Sequence, residues 1–289
     1  METSQIIIQI LNGISYGLLL FLLAAGLSLI FGLMNVINLA HGSYYMLGAY
    51  LGLVIIRHTG SFFLALGGAA LLMSLIGIIM ESLFLRSLYK RELDQVLLTF
   101  GFAYIFMDIA RWLWGGTPRS LPKPLFLDNS INILGEAFPI YRLVMIITGL
   151  TIALALWILL EKTRTGIIIR AGVNDKEMVT AMGINIKLYF TGIFALGAFL
   201  AAFGGVIGGP IIGTYPGLDF EILVLALAVV VVGGLGTLKG PFWGSILIGF
   251  IETFGKAFFP NYALVTIYVA MALILIFKPT GLLGKEESS

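Results

Sequence analysis

Nine apolar stretches, at about 6–33, 41–56, 62–84, 96–114, 141–160, 188–208, 222–236, 241–259 and 262–277, occupy most of the chain. A hydrocarbon core roughly 30 Å thick takes about 20 helical residues to cross, at about 1.5 Å per residue. Each stretch is a candidate membrane span, and helices are expected because they satisfy their own backbone polar groups in lipid. The alternating polarity of a membrane β-barrel strand is absent. The second and seventh stretches are short, about 16 and 15 residues, and each adjoins a break rich in glycine or polar residues. The reading is an all-α, polytopic transmembrane bundle of eight or nine spans, with interrupted helices among them.

Composition closes off the soluble alternative. Only 11% of the 289 residues are charged and 59% are hydrophobic, against about 25% charged in an ordinary soluble domain. Too few charges are present to clothe a soluble surface, so residues 1–289 read as one membrane domain. The N-terminus lacks a basic n-region and its apolar run is long, so that run is expected to be a retained first helix. A net charge of +2 gives no indication of a nucleic-acid partner.

Basic residues set the orientation. Eleven of the 17 Lys and Arg residues fall on one side: Arg86, Lys90, Arg91, Lys162, Arg164, Arg170, Lys176, Lys187, Lys239, Lys278 and Lys285. That side is read as cytoplasmic. The link near 209–221 carries only Asp219 and Glu221 and is placed outside. The link around 115–140 has basic residues of its own, and Pro118, Pro122 and Pro124 suggest an extended external loop. Gly197, Ala201, Gly205 and Gly209 recur every fourth residue, as do Gly13 and Gly17. Such stripes let helices approach closely. Trp112, Trp114 and Tyr141, near span ends, are expected in an interfacial belt.

Enzyme chemistry finds no foothold. The chain has no cysteine and two histidines, His41 and His58, which excludes disulfides, thiolate chemistry and a His/Cys metal cluster. No phosphate-binding G-x-x-x-x-G-K-[ST] loop occurs, so ATP would have to be bound by another chain. Asp108 with Arg111, and Glu252 with Lys256, are the main ionisable candidates within the spans; their helical spacings let each acid neutralise its own neighbour, and a role in the pathway is the other reading. No run of mid-membrane acids or histidines resembles a proton relay.

Two breaks carry more information. Asn35-Val36-Ile37-Asn38-Leu39-Ala40-His41-Gly42 separates the first two spans, and Gly233-Gly234-Leu235-Gly236-Thr237-Leu238-Lys239-Gly240-Pro241 separates the seventh and eighth. Interrupted segments in corresponding positions point to a transport path, because freed backbone groups persist only within protein or beside water. Tight turns between ordinary helices are the other reading. Asn35, Asn38, His41 and Gly42 from the first break, and Gly234, Gly236 and Gly240 from the second, are the candidate passage residues. A third feature is the basic link near 161–187. Asn174 to Glu177 spell a capping box with Asn174 as N-cap, and Gly183 suits the residue after a helix end. A short capped helix bearing Met178, Ala181 and Met182 on one side could dock a partner or merely connect two spans.

At these residues the chain resembles the permease subunits of branched-chain amino acid ABC importers. Gly32 to Gly42 is similar to the family's N-terminal motif. Arg170-Ala171, Asn174-Asp175, Ala181-Met182-Gly183-Ile184 and Ala201 to Gly205 follow its central region, and Val231 to Pro241 its late glycine-rich motif. The resemblance implies a bacterial inner-membrane subunit working with a second related permease, two cytoplasmic ATPases and an external substrate-binding protein. ATP and magnesium would belong to the ATPases, and no cofactor to this chain. The segment near 170–185 would couple to the ATPase, with Arg170, Asn174, Glu177, Met178, Ala181 and Gly183 as its candidate residues. The expected mechanism is alternating access through a mainly uncharged passage for leucine, isoleucine or valine, with urea, short amides or aromatic compounds as alternatives. A partner-independent secondary transporter or channel is the reading from a different class.

Overall fold

The structure, a computed structural model, describes residues 3–89, 91–234 and 239–284. Its helices are α1 (Thr3–Met34), α2 (His41–Thr59), α3 (Phe62–Ile79), α4 (Glu92–Trp114), α5 (Ile140–Lys162), α6 (Arg164–Asn174), α7 (Lys176–Ala181), α8 (Ile186–Ile212), α9 (Leu218–Gly233), α10 (Lys239–Phe258) and α11 (Ala263–Phe277). Each apolar stretch coincides with a helix, and α6 and α7 fill the basic link. Thr3–Met34, Phe62–Leu88, Glu92–Trp114, Ile140–Lys162 and Ile186–Ile212 are long and apolar enough to cross a membrane. With 16 and 15 residues, α9 and α11 are shorter than a full crossing. The proline-bearing link contains a small hairpin, β1 (Ser130–Ile133) against β2 (Glu136–Pro139), antiparallel with Ser130 opposite Pro139.

More than half of α1, α2, α8 and α9 is buried, whereas α4 and α5 keep broad apolar faces exposed. Lipid is as apolar as leucine, so helices in a bilayer gain little from hydrophobic burial and associate through close van der Waals contact. The glycine stripes provide that contact. A Cβ on Gly17 would lie 2.7 Å from the Ser245 carbonyl oxygen, and one on Gly249 would lie 2.3 Å from that of Gly13. α1 and α10 therefore meet backbone to backbone. Gly205 brings α8 equally close to α2 at Tyr45, and Gly197 brings it against Ile30 of α1. Both stripes are internal interfaces.

The aromatic belt is corrected in part. Trp112 is exposed as expected. Trp114 instead stacks on Tyr50 with ring centroids 4.6 Å apart. Tyr141 is buried and donates its hydroxyl to the Ile207 carbonyl at 2.7 Å. Both rings find partners on neighbouring helices, which proximity to a span end in sequence does not reveal.

Candidate translocation elements and coupling segment

The first break turns back along α1. Asn35 ends that helix in the left-handed region at φ 55°, donating its N–H to Phe31 at 3.0 Å. Asn35 is exposed at this helix end. The chain then leaves the helix and turns at Leu39–Ala40, with His41 N donating to Asn38 O at 3.3 Å. The His41 Nε2 donates to the Leu23 carbonyl at 3.1 Å and its ring lies beside Gly26. Eight residues separate Gly26 from the end of α1, so α2 begins about 12 Å inside that end.

Non-helical backbone at such a place needs partners, and α4 supplies them. Gln95 Oε1 accepts from Ile37 N at 3.2 Å, and Thr99 Oγ1 accepts from Leu39 N at 3.1 Å. Asn38 is buried and its Oδ1 accepts from Ala40 N, while its Nδ2 has no hydrogen-bond partner among the described residues. Gly42 sits so close to α9 that a Cβ would lie 2.0 Å from the Asp219 carbonyl oxygen. Ser43 donates to Asp219 Oδ2 at 3.0 Å. The first turns of α2 and α9 thus meet. Sequence reading singled out Asn38, His41 and Gly42 but missed Gln95, Thr99 and Asp219, whose only signal is a polar side chain within an apolar stretch or at its edge.

The second break lies elsewhere. Gly234 has φ 100°, and a Cβ there would lie 2.4 Å from Gly284 N; one on Gly240 would lie 2.5 Å from the Gly234 carbonyl oxygen. Residues after α11 fasten onto the same turn, Leu282 N donating to Val232 O at 2.8 Å and Leu283 N to Gly233 O at 3.0 Å. These glycines allow backbone to stack on backbone. Gly236 lies outside the described residues. The two breaks flank opposite ends of the 16-residue α9, about 24 Å of helix, and are not brought together.

In the basic link, the N-cap of α7 is Asp175, one residue later than the sequence suggested. Its carboxylate accepts from Met178 N at 2.9 Å. Asn174 instead completes α6, whose helical pattern runs one residue further than the capping motif implied. Gly183 follows the α7 C-cap at φ 82°, as expected. Met178 and Met182 are 61% and 69% exposed, and Glu177 and Ala181 are exposed beside them. Arg170 points the other way. It donates to the Leu160 carbonyl and pairs with Glu161 at 3.5 Å, tying α6 to the end of α5.

Beneath α7 lies a polar cluster that the sequence did not reveal. The segment after α3 forms a π turn, Met80–Phe84, in which Glu81 is wholly buried. Arg86 grips both carboxylate oxygens, at 3.2 and 2.9 Å. Tyr89 donates at 2.6 Å and Thr191 of α8 at 2.7 Å. Burial and the Glu81 carboxylate push the Tyr89 phenol far up, so it stays a neutral donor. Lys176 of α7 stands 4.9 Å above the Tyr89 ring, so the short helix is physically joined to this cluster.

Both expected acid–base pairs form. Asp108–Arg111 spans 3.3 Å and is exposed. Glu252–Lys256 spans 2.5 Å with the Glu252 side chain 8% exposed. The latter pair borders a 580 Å³ cavity among α1, α5, α8, α9 and α10, which also takes in Asn12, Arg142 and Glu221. Tyr215 donates to Glu221 at 2.7 Å, and burial together with that carboxylate pushes its phenol up to about 12. Among the described residues no group of His, Asp and Glu could hold a metal ion.

Long apolar helices, backbone-tight interfaces and helices that start beside one another define a multi-pass integral membrane protein. Its fold is similar to a chain of PsaBC from Streptococcus pneumoniae in complex with Fab, at a TM-score of 0.51 and 16% identity over 92% of this chain and 89% of that one. Residues 9–277 match the family described as branched-chain amino acid transport system / permease component, and the chain belongs to that family. It is 29% identical to the high-affinity branched-chain amino acid transport system permease protein LivH of Escherichia coli, and 27% to BraD of Pseudomonas aeruginosa, a permease protein of the same description. Each alignment covers 96% of both chains. The chain is thus a transport component.

Proposed function

We propose that this chain is a permease subunit of an ATP-driven ABC importer that carries leucine, isoleucine or valine across the bacterial inner membrane. The observation that carries the reading is the family match over residues 9–277. In this reading a second related permease completes the passage, and two cytoplasmic ATPases bind ATP and magnesium. An external binding protein delivers the substrate. Asn38, His41 and Gly42 lie along the route, where α2 starts inside the bundle and an unsatisfied amide can meet water or substrate. The exposed face of α7 meets the ATPase, and its movement reaches α3 and α8 through Lys176, Tyr89 and Glu81.

Uptake of labelled leucine by cells that lack this chain tests the reading. Uptake is expected to fall and to return when the chain is restored, and unlabelled isoleucine and valine should compete where urea does not. Undiminished leucine uptake, or loss of urea uptake in its place, would contradict the assignment.

A further inference from the structure

The cavity bordered by Glu252 is built from the start of α1, the start of α5, the end of α8, the first half of α9 and the end of α10. In the nine-span reading with the basic links inside, each of these segments falls on the external side. Arg142 and Lys256 line it, and so do Glu221 and Glu252. Two positive and two negative side chains leave no net charge, which favours neither a free anion nor a free cation. Glu252 is the sharpest feature. Lys256 takes its Oε1, but the buried Oε2 has no hydrogen-bond partner among the described residues. An acceptor left so is costly, and a donor from a ligand would remove the cost.

Arg142, across the cavity on α5, donates to Asn12 Oδ1 and forms no ion pair among the described residues. A guanidinium carries five N–H donors in a fork suited to a carboxylate. Met145, Leu218, Ile222 and Leu225 give the remaining wall an apolar surface. A volume of 580 Å³ suits a small ligand with some water.

We propose that this cavity is an external receiving site for a free α-amino acid with an aliphatic side chain. The ligand ammonium donates to Glu252 Oε2, its carboxylate is held by Arg142, and its side chain rests on the apolar wall. The site is distinct from both sequence breaks. It rests on the reading of the chain as an amino-acid permease and adds a demand for both charges of the zwitterion.

Because the chain lacks cysteine, a Thr253→Cys variant carries a single thiol at the cavity wall. In sealed right-side-out vesicles that thiol should react with a membrane-impermeant maleimide. Leucine should slow the reaction. Leucinamide, which lacks the carboxylate, and 4-methylpentanoate, which lacks the ammonium, should not. Adding Glu252→Gln or Arg142→Gln should raise the leucine concentration needed by about tenfold or more, the loss of one charge-assisted hydrogen bond. Arg142→Lys should retain much of the protection, and monodisperse elution of each variant establishes that it folds. Equal protection by leucinamide, or none by leucine in a preparation whose assembled complex takes up leucine, overturns the site and leaves the proposed function standing. A complex that takes up only uncharged solutes overturns both.

Discussion

Glu81 sets the terms at the residue scale. A carboxylate taken out of water is tolerable only when its lone pairs are met. Here the Arg86 fork and two hydroxyls meet them, one of the hydroxyls from α8 more than a hundred residues away in sequence. Glu81→Ala removes the acceptor of the Arg86 fork and of the Tyr89 hydroxyl, leaving Arg86 only the Thr191 hydroxyl at 2.7 Å. Arg86 is a third exposed and can be hydrated, so the loss is nearer that of the hydrogen bonds to a charged group, about 1.5–3 kcal/mol, and unfolding in SDS titrations should shift to lower detergent fraction. Glu81→Gln keeps the shape and part of the hydrogen bonding, and its shift should be less than half as large. Equal stability of Glu81→Ala and the parent chain would show that the cluster is incidental. His41 is only half met: its Nε2 bonds to the Leu23 carbonyl, and its buried Nδ1 has no partner among the described residues.

Among the elements, α7 is short and depends on its caps. Asp175 secures the first turn and Gly183 permits the exit, and Asn174 shows how a motif read by spacing can slip by one residue. The methionine-bearing side was legible because it needs only helical periodicity. The link from Lys176 to Tyr89 was not, because it joins chain segments nearly ninety residues apart. In the proposed importer, Ala181→Arg puts a bulky charge on the docking side while the membrane helices stay unchanged. Burying that charge is costly, so permease abundance should stay near normal. ATPase recovery in pull-downs should fall about tenfold or more, as a penalty above 1.4 kcal/mol implies. Ala181→Ser should be mild. Full ATPase recovery with Ala181→Arg would remove α7 from the interface.

Across the whole molecule, the helices were the most legible feature, since apolar length alone marks them. Which helices sit at the centre was readable only in part. The Gly13 and Gly17 stripe announced a close partner for α1 without naming α10. Arg142 and Glu252 offered no joint signal, being 110 residues apart and brought to one cavity by the fold. The paired breaks looked equivalent in sequence. One turns back beside α1 and the other is a backbone stack fastened by residues 282–283.

In the proposed importer this chain is a passage driven by ATP hydrolysed elsewhere. Its direct test is labelled leucine uptake into liposomes holding the chain with its partner permease and ATPases, with binding protein outside and ATP and magnesium inside. Accumulation is expected to need ATP, magnesium and the binding protein together. Uptake of the same rate by the chain alone under an ion gradient, indifferent to ATP, would contradict it.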